Sequence, residues 1–188
     1  MFTEAGAFRE GHFVLASGRH SPGYLEKFQV LQWPARTAAL CADIAQWARS
    51  LAVRTVAGPT TGGIILAHEV ARQMELRSIY AERVESGSGR EFRRGFELSS
   101  GERVLVVDDI VTTGGSLHET IDAVRRDGAE VVAAAVLVDR SGGSTSLDVP
   151  LHALWTLDIP TYALSDCPQC ADGVPVTKPG TTPAQVVR

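Results

Sequence analysis

Two adjacent carboxylates, Asp108 and Asp109, follow an apolar run and precede a loop of threonine and glycine. The run predicts a buried strand over residues 103–107, and the pattern after the loop predicts a helix over residues 116–126. Amide groups at the start of a helix attract anions, because they lack acceptors within the helix and carry the positive end of its dipole. The loop over residues 112–116 is therefore predicted to bind a phosphate group.

The two acids require a different partner, because carboxylates next to a phosphate would repel it. They suit the hydroxyl groups of a sugar, a cationic transition state, or magnesium held through water. A phosphorylated sugar satisfies the acids and the loop together. The alternative, that the acids only cap a helix, explains one carboxylate and one hydroxyl but not the whole stretch. The patterns GxxxxGK[ST] and GxGxxG do not occur where nucleotide-binding folds need them.

Short apolar runs alternate with helical patterns along the middle of the chain. The predicted strands cover residues 53–57, 78–81, 103–107, 131–138 and 151–157. The predicted helices cover residues 34–51, 64–74 and 116–126. This alternation predicts an α/β fold with a central parallel sheet flanked by helices. In such sheets ligands bind at the carboxyl ends of the strands, where the two acids are expected.

The two ends of the chain do not follow the alternation. Residues 1–33 are expected to form a small, irregular hood lobe, residues 34–160 the core, and residues 161–188 an extended, proline-containing tail, all within a single domain. Within the core, residues 82–101 combine glycines with charges of alternating sign. We predict a long mobile loop there, because this pattern argues against a packed hairpin and loops of this length are often functional.

Composition excludes several classes of protein. The 18 basic and 22 acidic residues give a net charge of −4, which argues against nucleic acid as the main partner. The longest apolar run, residues 131–138, is far shorter than the ~20 residues that span a bilayer, so no membrane partner is expected. The first residues lack the pattern of a secretory signal. We therefore expect a cytoplasmic protein.

Three cysteines, Cys41, Cys167 and Cys170, are an odd number, which argues against a disulfide framework. The last two have the spacing of a zinc knuckle. A tetrahedral zinc needs four ligands, however, and no second CxxC or HxxxH accompanies the pair. The favoured interpretation is a turn with two reduced thiols. Among the histidines, His20 stays open as a functional residue.

Residues 104–116 resemble the phosphoribosyl-pyrophosphate motif of the type I phosphoribosyltransferases. Other segments resemble the orotate-specific members of that family, namely their substrate lobe, pyrophosphate loop and base-binding strand end: residues 11–22, 58–64 and 138–140. Residues 167–180 resemble a bacterial subgroup of the same family. The resemblance covers nearly the whole chain.

The resemblance implies the type I phosphoribosyltransferase fold, with a hood lobe over a parallel sheet. It implies transfer of the 5-phosphoribosyl group from phosphoribosyl pyrophosphate to N1 of orotate, which gives orotidine 5′-monophosphate and pyrophosphate in pyrimidine biosynthesis. Magnesium is the implied cofactor, bound through substrate and water with Asp108 or Asp109 as its nearest protein group. The implied assembly is a homodimer.

The resemblance also implies a set of substrate contacts. Asp108 and Asp109 would hold the ribose hydroxyls and act in catalysis together with Arg83. Contacts to phosphoribosyl pyrophosphate would further come from two loops: Ile110, Val111, Thr112, Thr113, Gly114, Gly115 and Ser116 in one, and Thr60, Thr61, Gly62 and Gly63 in the other. Orotate would be bound by four residues: Thr112, Arg140, Tyr24 and Leu25.

One segment departs from the family pattern. Orotate-specific members commonly carry lysines in the lid, here residues 83–95, and another in the pyrophosphate loop, where this chain has Gly62. The lid of this chain carries only arginines as basic residues: Arg83, Arg90, Arg93 and Arg94. Arginine keeps the positive charge but does not titrate near neutrality. A role as a charge clamp on pyrophosphate is therefore expected, and a role as proton donor is not.

Three alternative functions stay open. A related phosphoribosyltransferase acting on a purine or on uracil would share the phosphate loop but need a different hood, and residues 17–22 argue against it. A regulator that keeps the loop as a sensor and binds nucleic acid would need a basic face or an added domain. A catalytically weakened relative would fit the missing lid lysines.

Overall fold

The computed structural model describes residues 2–15, 17–179 and the backbone of residues 185–187. The helices are α1 (Phe28–Leu31), α2 (Pro34–Ala48), α3 (Gly62–Met74), α4 (Gly115–Arg126) and α5 (Pro168–Ala171). The strands are β1 (Phe8–Val14), β2 (His20–Leu25), β3 (Thr55–Pro59), β4 (Arg77–Arg83), β5 (Arg90–Phe92), β6 (Arg103–Val111), β7 (Glu130–Asp139), β8 (Leu151–Thr156), β9 (Val176–Lys178) and β10 (Gln185–Val187).

The described chain divides into two compact units. The first, here called the terminal unit, joins Met1–Val30 to Asp158–Arg188, and the second, the core unit, is Leu31–Leu157. In the described part of the chain, no helix is both long enough and apolar enough to cross a membrane.

The core unit contains a sheet with the strand order β5-β4-β3-β6-β7-β8. Neighbouring strands from β4 to β8 in this order are parallel, whereas β5 is antiparallel to β4. The α/β class and the central parallel sheet are thus confirmed. Strands β6 and β7 are buried along most of their length because their apolar runs lie inside the sheet. Helix α4 packs against them through Leu117, Ile121 and Val124, which recur at helical spacing.

Strand β6 is longer than the predicted 103–107. Its pairing with β7 continues past the acids, with Asp108 opposite Val136 and Val111 opposite Asp139. The two acids therefore lie within the strand, and its hydrogen bonds hold their backbone in place.

The prediction of a long loop over residues 82–101 is wrong for residues 82–92, which belong to a hairpin, whereas residues 93–101 lie outside any helix or strand. Strand β4 continues to Arg83, which lies opposite Arg90 of β5 in an antiparallel hairpin. Gly87 and Gly89 lie in the turn with positive φ angles, 102° and 105°, which glycine adopts without steric cost. The alternating charges do not prevent the hairpin, because opposite charges within it form ion pairs.

The predictions of an irregular lobe and of an extended tail are also wrong. In the terminal unit the two ends of the chain form one sheet in the order β10-β9-β1-β2. Strand β9 runs parallel to β1, with Thr177 opposite Phe13. The backbones of His20 and Tyr162 exchange two hydrogen bonds of 2.9 Å. Both ends of the chain are therefore held in one folded unit.

Candidate functional site

The acid pair lies near the carboxyl end of β6, and both side chains are buried, with Asp108 6% and Asp109 3% exposed. The carboxylate of Asp108 is oriented by two hydrogen bonds. Its Oδ1 accepts from the backbone N–H of Asp109 at 2.8 Å, and its Oδ2 accepts from the hydroxyl of Ser116 at 2.6 Å. The predicted phosphate donor Ser116 thus links the first turn of α4 to the acid pair.

The predicted phosphate loop connects β6 to α4. Gly114, the residue before the helix, has φ = 79°, and a Cβ added there would lie 2.9 Å from Cγ2 of Thr145. The positive φ favours glycine at this position, and a larger residue would also press on the side chain of Thr145. Thr112 and Thr113 are exposed, and the first N–H groups of a helix have no acceptor within it. The loop can therefore present backbone and hydroxyl donors to an anion.

Two predicted contact residues precede the loop within β6. The side chain of Val111 is 2% exposed and packs in the hydrophobic core of the unit, whereas Ile110 is half-buried. The backbone of Val111 is therefore the part that could reach a ligand.

The predicted pyrophosphate loop, residues 58–63, connects β3 to α3 and lies directly against the acid pair. A Cβ added at Gly62 would lie 1.8 Å from Oδ2 of Asp109. Within the loop, backbone packs on backbone, since a Cβ added at Gly58 would lie 2.2 Å from the carbonyl oxygen of Gly63. The structure thus brings the predicted pyrophosphate loop to the acid pair, which lies about fifty residues later in the sequence.

Arg90 is the site residue whose particular role the sequence analysis missed. Its guanidinium is 3% exposed and lies 3.3 Å from Oε2 of Glu119, measured from Nε. Nη1 donates to Oγ1 of Thr60 at 3.0 Å and to the carbonyl oxygen of Ala81 at 3.2 Å. Burial, and next the nearby charge of Arg83, lower the pKa of Arg90, but an arginine remains charged at neutral pH. Arg90 therefore ties the hairpin to the pyrophosphate loop.

The remaining lid arginines differ in their partners. Arg93 pairs with Glu91, and Arg94 pairs with Glu82 at 2.8 Å. Arg83 is exposed at the end of β4, and no residue in the described ranges forms an ion pair or hydrogen bond with its guanidinium. Of the four, Arg83 has the charge most available to a ligand. The glycine-rich turn between two short runs was the sequence signal that could have revealed the hairpin.

The predicted orotate-binding residues belong to different units. Arg140 directly follows β7 in the core unit, and its backbone N–H donates to the carbonyl oxygen of Val111 at 2.8 Å, which places it beside the start of the phosphate loop. Tyr24 and Leu25 belong to β2 of the terminal unit. The ring of Tyr24 packs near that of Phe13, with centroids 5.8 Å apart, and Leu25 is 3% exposed.

Two histidines lie beside the CxxC pair, which the spacing in the sequence did not indicate. Cys167 and Cys170 are free thiols. In the terminal unit they lie beside His12 and His20, with donor atoms of all four side chains within 4.8 Å of one another. Local spacing could not reveal this, because the histidines lie about 150 residues earlier in the chain.

Comparison with known proteins agrees with the geometry of the core unit. The phosphoribosyl transferase domain family matches residues 29–149. Proteins named orotate phosphoribosyltransferase from Caldicellulosiruptor bescii and Desulforamulus reducens are each 47% identical to this chain over 181 residues, covering 96% of this chain and 94% of the relative. The crystal structure of orotate phosphoribosyltransferase from Aeropyrum pernix matches with a TM-score of 0.73 and 29% identity, covering 83% of this chain and 91% of that one.

The chain therefore belongs to the phosphoribosyl transferase family, whose fold it shares. Within that family, its relatives place it among the orotate phosphoribosyltransferases.

Proposed function

We propose that this protein transfers the 5-phosphoribosyl group from phosphoribosyl pyrophosphate to N1 of orotate, giving orotidine 5′-monophosphate and pyrophosphate in pyrimidine biosynthesis. The observation that carries the proposal is the contact of Asp109 with Gly62, which joins the acid pair to the pyrophosphate loop. The relatives named orotate phosphoribosyltransferase support orotate over a purine or uracil.

The two loops and the acid pair divide the donor substrate between them. The loop over residues 112–116 binds the 5′-phosphate, residues 60–63 face the pyrophosphate, and the acids Asp108 and Asp109 hold the ribose 2′- and 3′-hydroxyls. Departure of pyrophosphate leaves positive charge on the ribose, and buried carboxylates stabilise that charge strongly because little water screens them. Few protons need to move, so catalysis is mainly positional and electrostatic.

The hairpin supplies positive charge to the leaving group. Arg83 acts as the charge clamp on pyrophosphate, which its exposed guanidinium supports, since it has no ion pair or hydrogen bond among the described residues. Arg90 acts as a positioning residue, because its hydrogen bond to Thr60 holds the pyrophosphate loop. Closure of the hairpin over the substrate would exclude water, which otherwise intercepts the cationic ribose.

The acid pair also fits the proposed magnesium cofactor. Magnesium prefers oxygen ligands and commonly combines one or two carboxylates with substrate phosphates and water. Asp108 is oriented by Ser116 and Asp109 is buried beside the pyrophosphate loop, so either could be the protein contact. When bound, the ion neutralises charge on the leaving pyrophosphate.

The acceptor is an anion, and Arg140 suits it, because a guanidinium matches a carboxylate with two parallel hydrogen bonds. The backbone N–H of Arg140 donates a hydrogen bond to the carbonyl oxygen of Val111, and Thr112 is the next residue after Val111. The assignment of Tyr24 and Leu25 to the orotate ring stays a prediction. The homodimer and the cytoplasmic location also stay predictions.

The test mixes purified protein with phosphoribosyl pyrophosphate, magnesium and orotate and follows the loss of orotate absorbance. Adenine, hypoxanthine and uracil are tested in parallel. We expect turnover with orotate alone. Turnover with a purine or uracil instead would contradict the assigned substrate. Saturable binding of phosphoribosyl pyrophosphate without turnover of any base would favour a sensor or an inactive relative.

A further inference from the structure

We propose that His12, His20, Cys167 and Cys170 form a tetrahedral zinc site that holds the terminal unit together. Among the residues that the structure describes, these four are the one group of three or more histidine, cysteine and acidic side chains placed closely enough to share a metal ion. The site is separate from the acid pair and the two loops, which belong to the core unit. Its existence does not depend on which base the enzyme uses.

The separations between donor atoms match a zinc coordination shell. Sγ of Cys167 lies 3.4 Å from Nε2 of His12, and Sγ of Cys170 lies 3.6 Å from the same atom and 3.3 Å from Nδ1 of His20. Zinc–sulfur bonds of about 2.3 Å and zinc–nitrogen bonds of about 2.0 Å set the sulfur–nitrogen edge of a tetrahedron at about 3.5 Å. The sulfur and nitrogen atoms are therefore already arranged around a common centre.

The two imidazole nitrogens are closer than a zinc shell requires. Nε2 of His12 and Nδ1 of His20 lie 2.7 Å apart, a hydrogen-bond distance, whereas two nitrogens on one tetrahedral zinc are about 3.3 Å apart. Metal binding would replace this hydrogen bond and separate the rings by roughly half an ångström. Such a movement requires only a small rotation of two side chains.

A second observation points to a ligand, namely the orientation of the His12 ring. Nδ1 of His12 lies 2.7 Å from the carbonyl oxygen of Val174, which can only accept a hydrogen bond, so Nδ1 carries the proton. The lone pair is therefore on Nε2, the atom that faces His20 and both sulfurs. A backbone carbonyl that holds the second nitrogen in this way is the usual support of a metal-binding histidine.

Burial explains why these side chains need a common partner. His12, His20 and Cys167 are 4%, 6% and 3% exposed, and Cys170 is half-buried. Polar groups lose hydration when they are buried, and a metal ion satisfies several of them at once. Two thiolates with two imidazoles form an S₂N₂ set, which favours zinc, whereas calcium and magnesium prefer oxygen.

The topology explains what the site would stabilise. His12 lies in β1, where the register with β2 shifts between Glu10 and Phe13, and such bulges redirect side chains. His20 opens β2, and the two cysteines flank the start of α5 about 150 residues later. The metal would join the two ends of the chain.

The terminal unit has only a small apolar core. Apart from the proposed ligand Cys167, its described buried apolar side chains are few: Phe2, Ala7, Phe13, Leu25 and Val30. Small units with small cores commonly depend on a metal or on disulfides. We therefore assign the site a structural role, without an open coordination position for catalysis.

The first experiment measures metal in the intact protein, purified under reducing conditions from zinc-supplemented cells. We expect about one zinc per chain by elemental analysis. After removal of zinc, cobalt should give the visible absorption bands of a tetrahedral site with thiolate ligands. A zinc content below about a tenth per chain, together with a cobalt spectrum typical of six oxygen ligands or of no binding, would overturn the proposal.

Variants separate the site from other thiols. Cys170→Ser and His20→Ala should lose at least nine-tenths of the zinc, and the cobalt charge-transfer band should weaken in Cys170→Ser. Cys41→Ala is the matched control, because Cys41 is a buried thiol of the core unit, and it should keep its zinc. Equal zinc in all three variants would contradict the assignment. A disulfide between Cys167 and Cys170 would also contradict the assignment, if it formed in zinc-loaded protein isolated without reductant.

A stability measurement covers the case in which a variant fails to fold. Removing zinc from the parent protein with a chelator should lower its melting temperature, and one equivalent of zinc, but not of magnesium, should restore it. The Cys41→Ala control should respond like the parent. A parent protein whose melting temperature is the same with and without zinc would refute the structural role.

Discussion

Replacing Gly58 with alanine tests whether close backbone packing shapes the pyrophosphate loop. The added Cβ would lie 2.2 Å from the carbonyl oxygen of Gly63. Real Cβ atoms keep at least 3.0 Å from such neighbours, so the two backbone segments must separate by about 0.8 Å. The obstacle is backbone and cannot rotate away, so the shift passes to the loop that is proposed to face pyrophosphate.

The Gly58→Ala substitution is expected to lower both the stability and the activity of the protein. Overpacking destabilises a protein by about 1–3 kcal/mol, which corresponds to a fall in melting temperature of about 3–10 °C for a chain of this size. A displacement of about 1 Å in the binding geometry can lower activity about 100-fold, or about 2.7 kcal/mol in transition-state stabilisation. We therefore expect kcat/KM with phosphoribosyl pyrophosphate to fall by about two orders of magnitude at a temperature where the variant is folded.

The assay follows loss of orotate absorbance, with thermal unfolding measured in parallel. Gly101→Ala is the control, because Gly101 lies before the opposite end of β6, and nothing lies within 4 Å of an added Cβ. Its positive φ of 72° should cost about 1 kcal/mol in stability but leave kcat/KM unchanged. If Gly58→Ala kept kcat/KM within about threefold of the parent, the proposed link between loop packing and catalysis would be refuted.

Three variants test the site and the hairpin, and a reactivity measurement tests the burial of Cys41. Asp109→Asn should lower kcat/KM about 100-fold or more, because it removes a buried charge from the proposed ribose site. Its melting temperature should change little. Full activity of this variant would contradict the proposed role of Asp109. Arg90→Met should lower the free energy of unfolding in urea by about 1–3 kcal/mol, because Glu119 and Thr60 lose their partner. The control Arg93→Met should change the free energy of unfolding by no more than about 0.5 kcal/mol. Equal decreases in the free energy of unfolding of the two variants would argue against the anchoring role of Arg90. Burial raises the pKa of Cys41 to about 12. Its thiol should therefore react with a disulfide reagent at pH 8 only after the protein unfolds. Rapid reaction in the native protein would contradict the burial of Cys41.

Local patterns in the sequence were sufficient for the parallel strands of the core unit and the helices that connect them. The apolar runs that became β6 and β7 indicated buried strands, because a parallel strand covered on both faces must be apolar throughout. The acids and the glycine-rich loop could be placed together, since they adjoin one another in the chain. The positions of the strands and helices of the parallel sheet were thus predicted to within a few residues.

Long-range pairing decided what the sequence analysis got wrong. The hairpin of β4 and β5 was mistaken for a loop, because the pairing of Arg93 with Glu91 and Arg94 with Glu82 becomes visible only once the chain has folded back. The same holds for Arg90, a charged residue that pattern alone predicts to be exposed. Its burial depends on partners supplied by two other elements of the core unit.

The terminal unit shows most clearly the difference between what local spacing predicts and what strand pairing decides. By itself the sequence determined that Cys167 and Cys170 have the spacing of a metal knuckle, and that Asp108 and Asp109 end an apolar run beside a phosphate loop. Only the tertiary structure brought His12 and His20 to the cysteines. The physical reason is that spacing along the chain reports contacts within one or two elements, whereas a site assembled from both ends of the chain depends on how its strands pair.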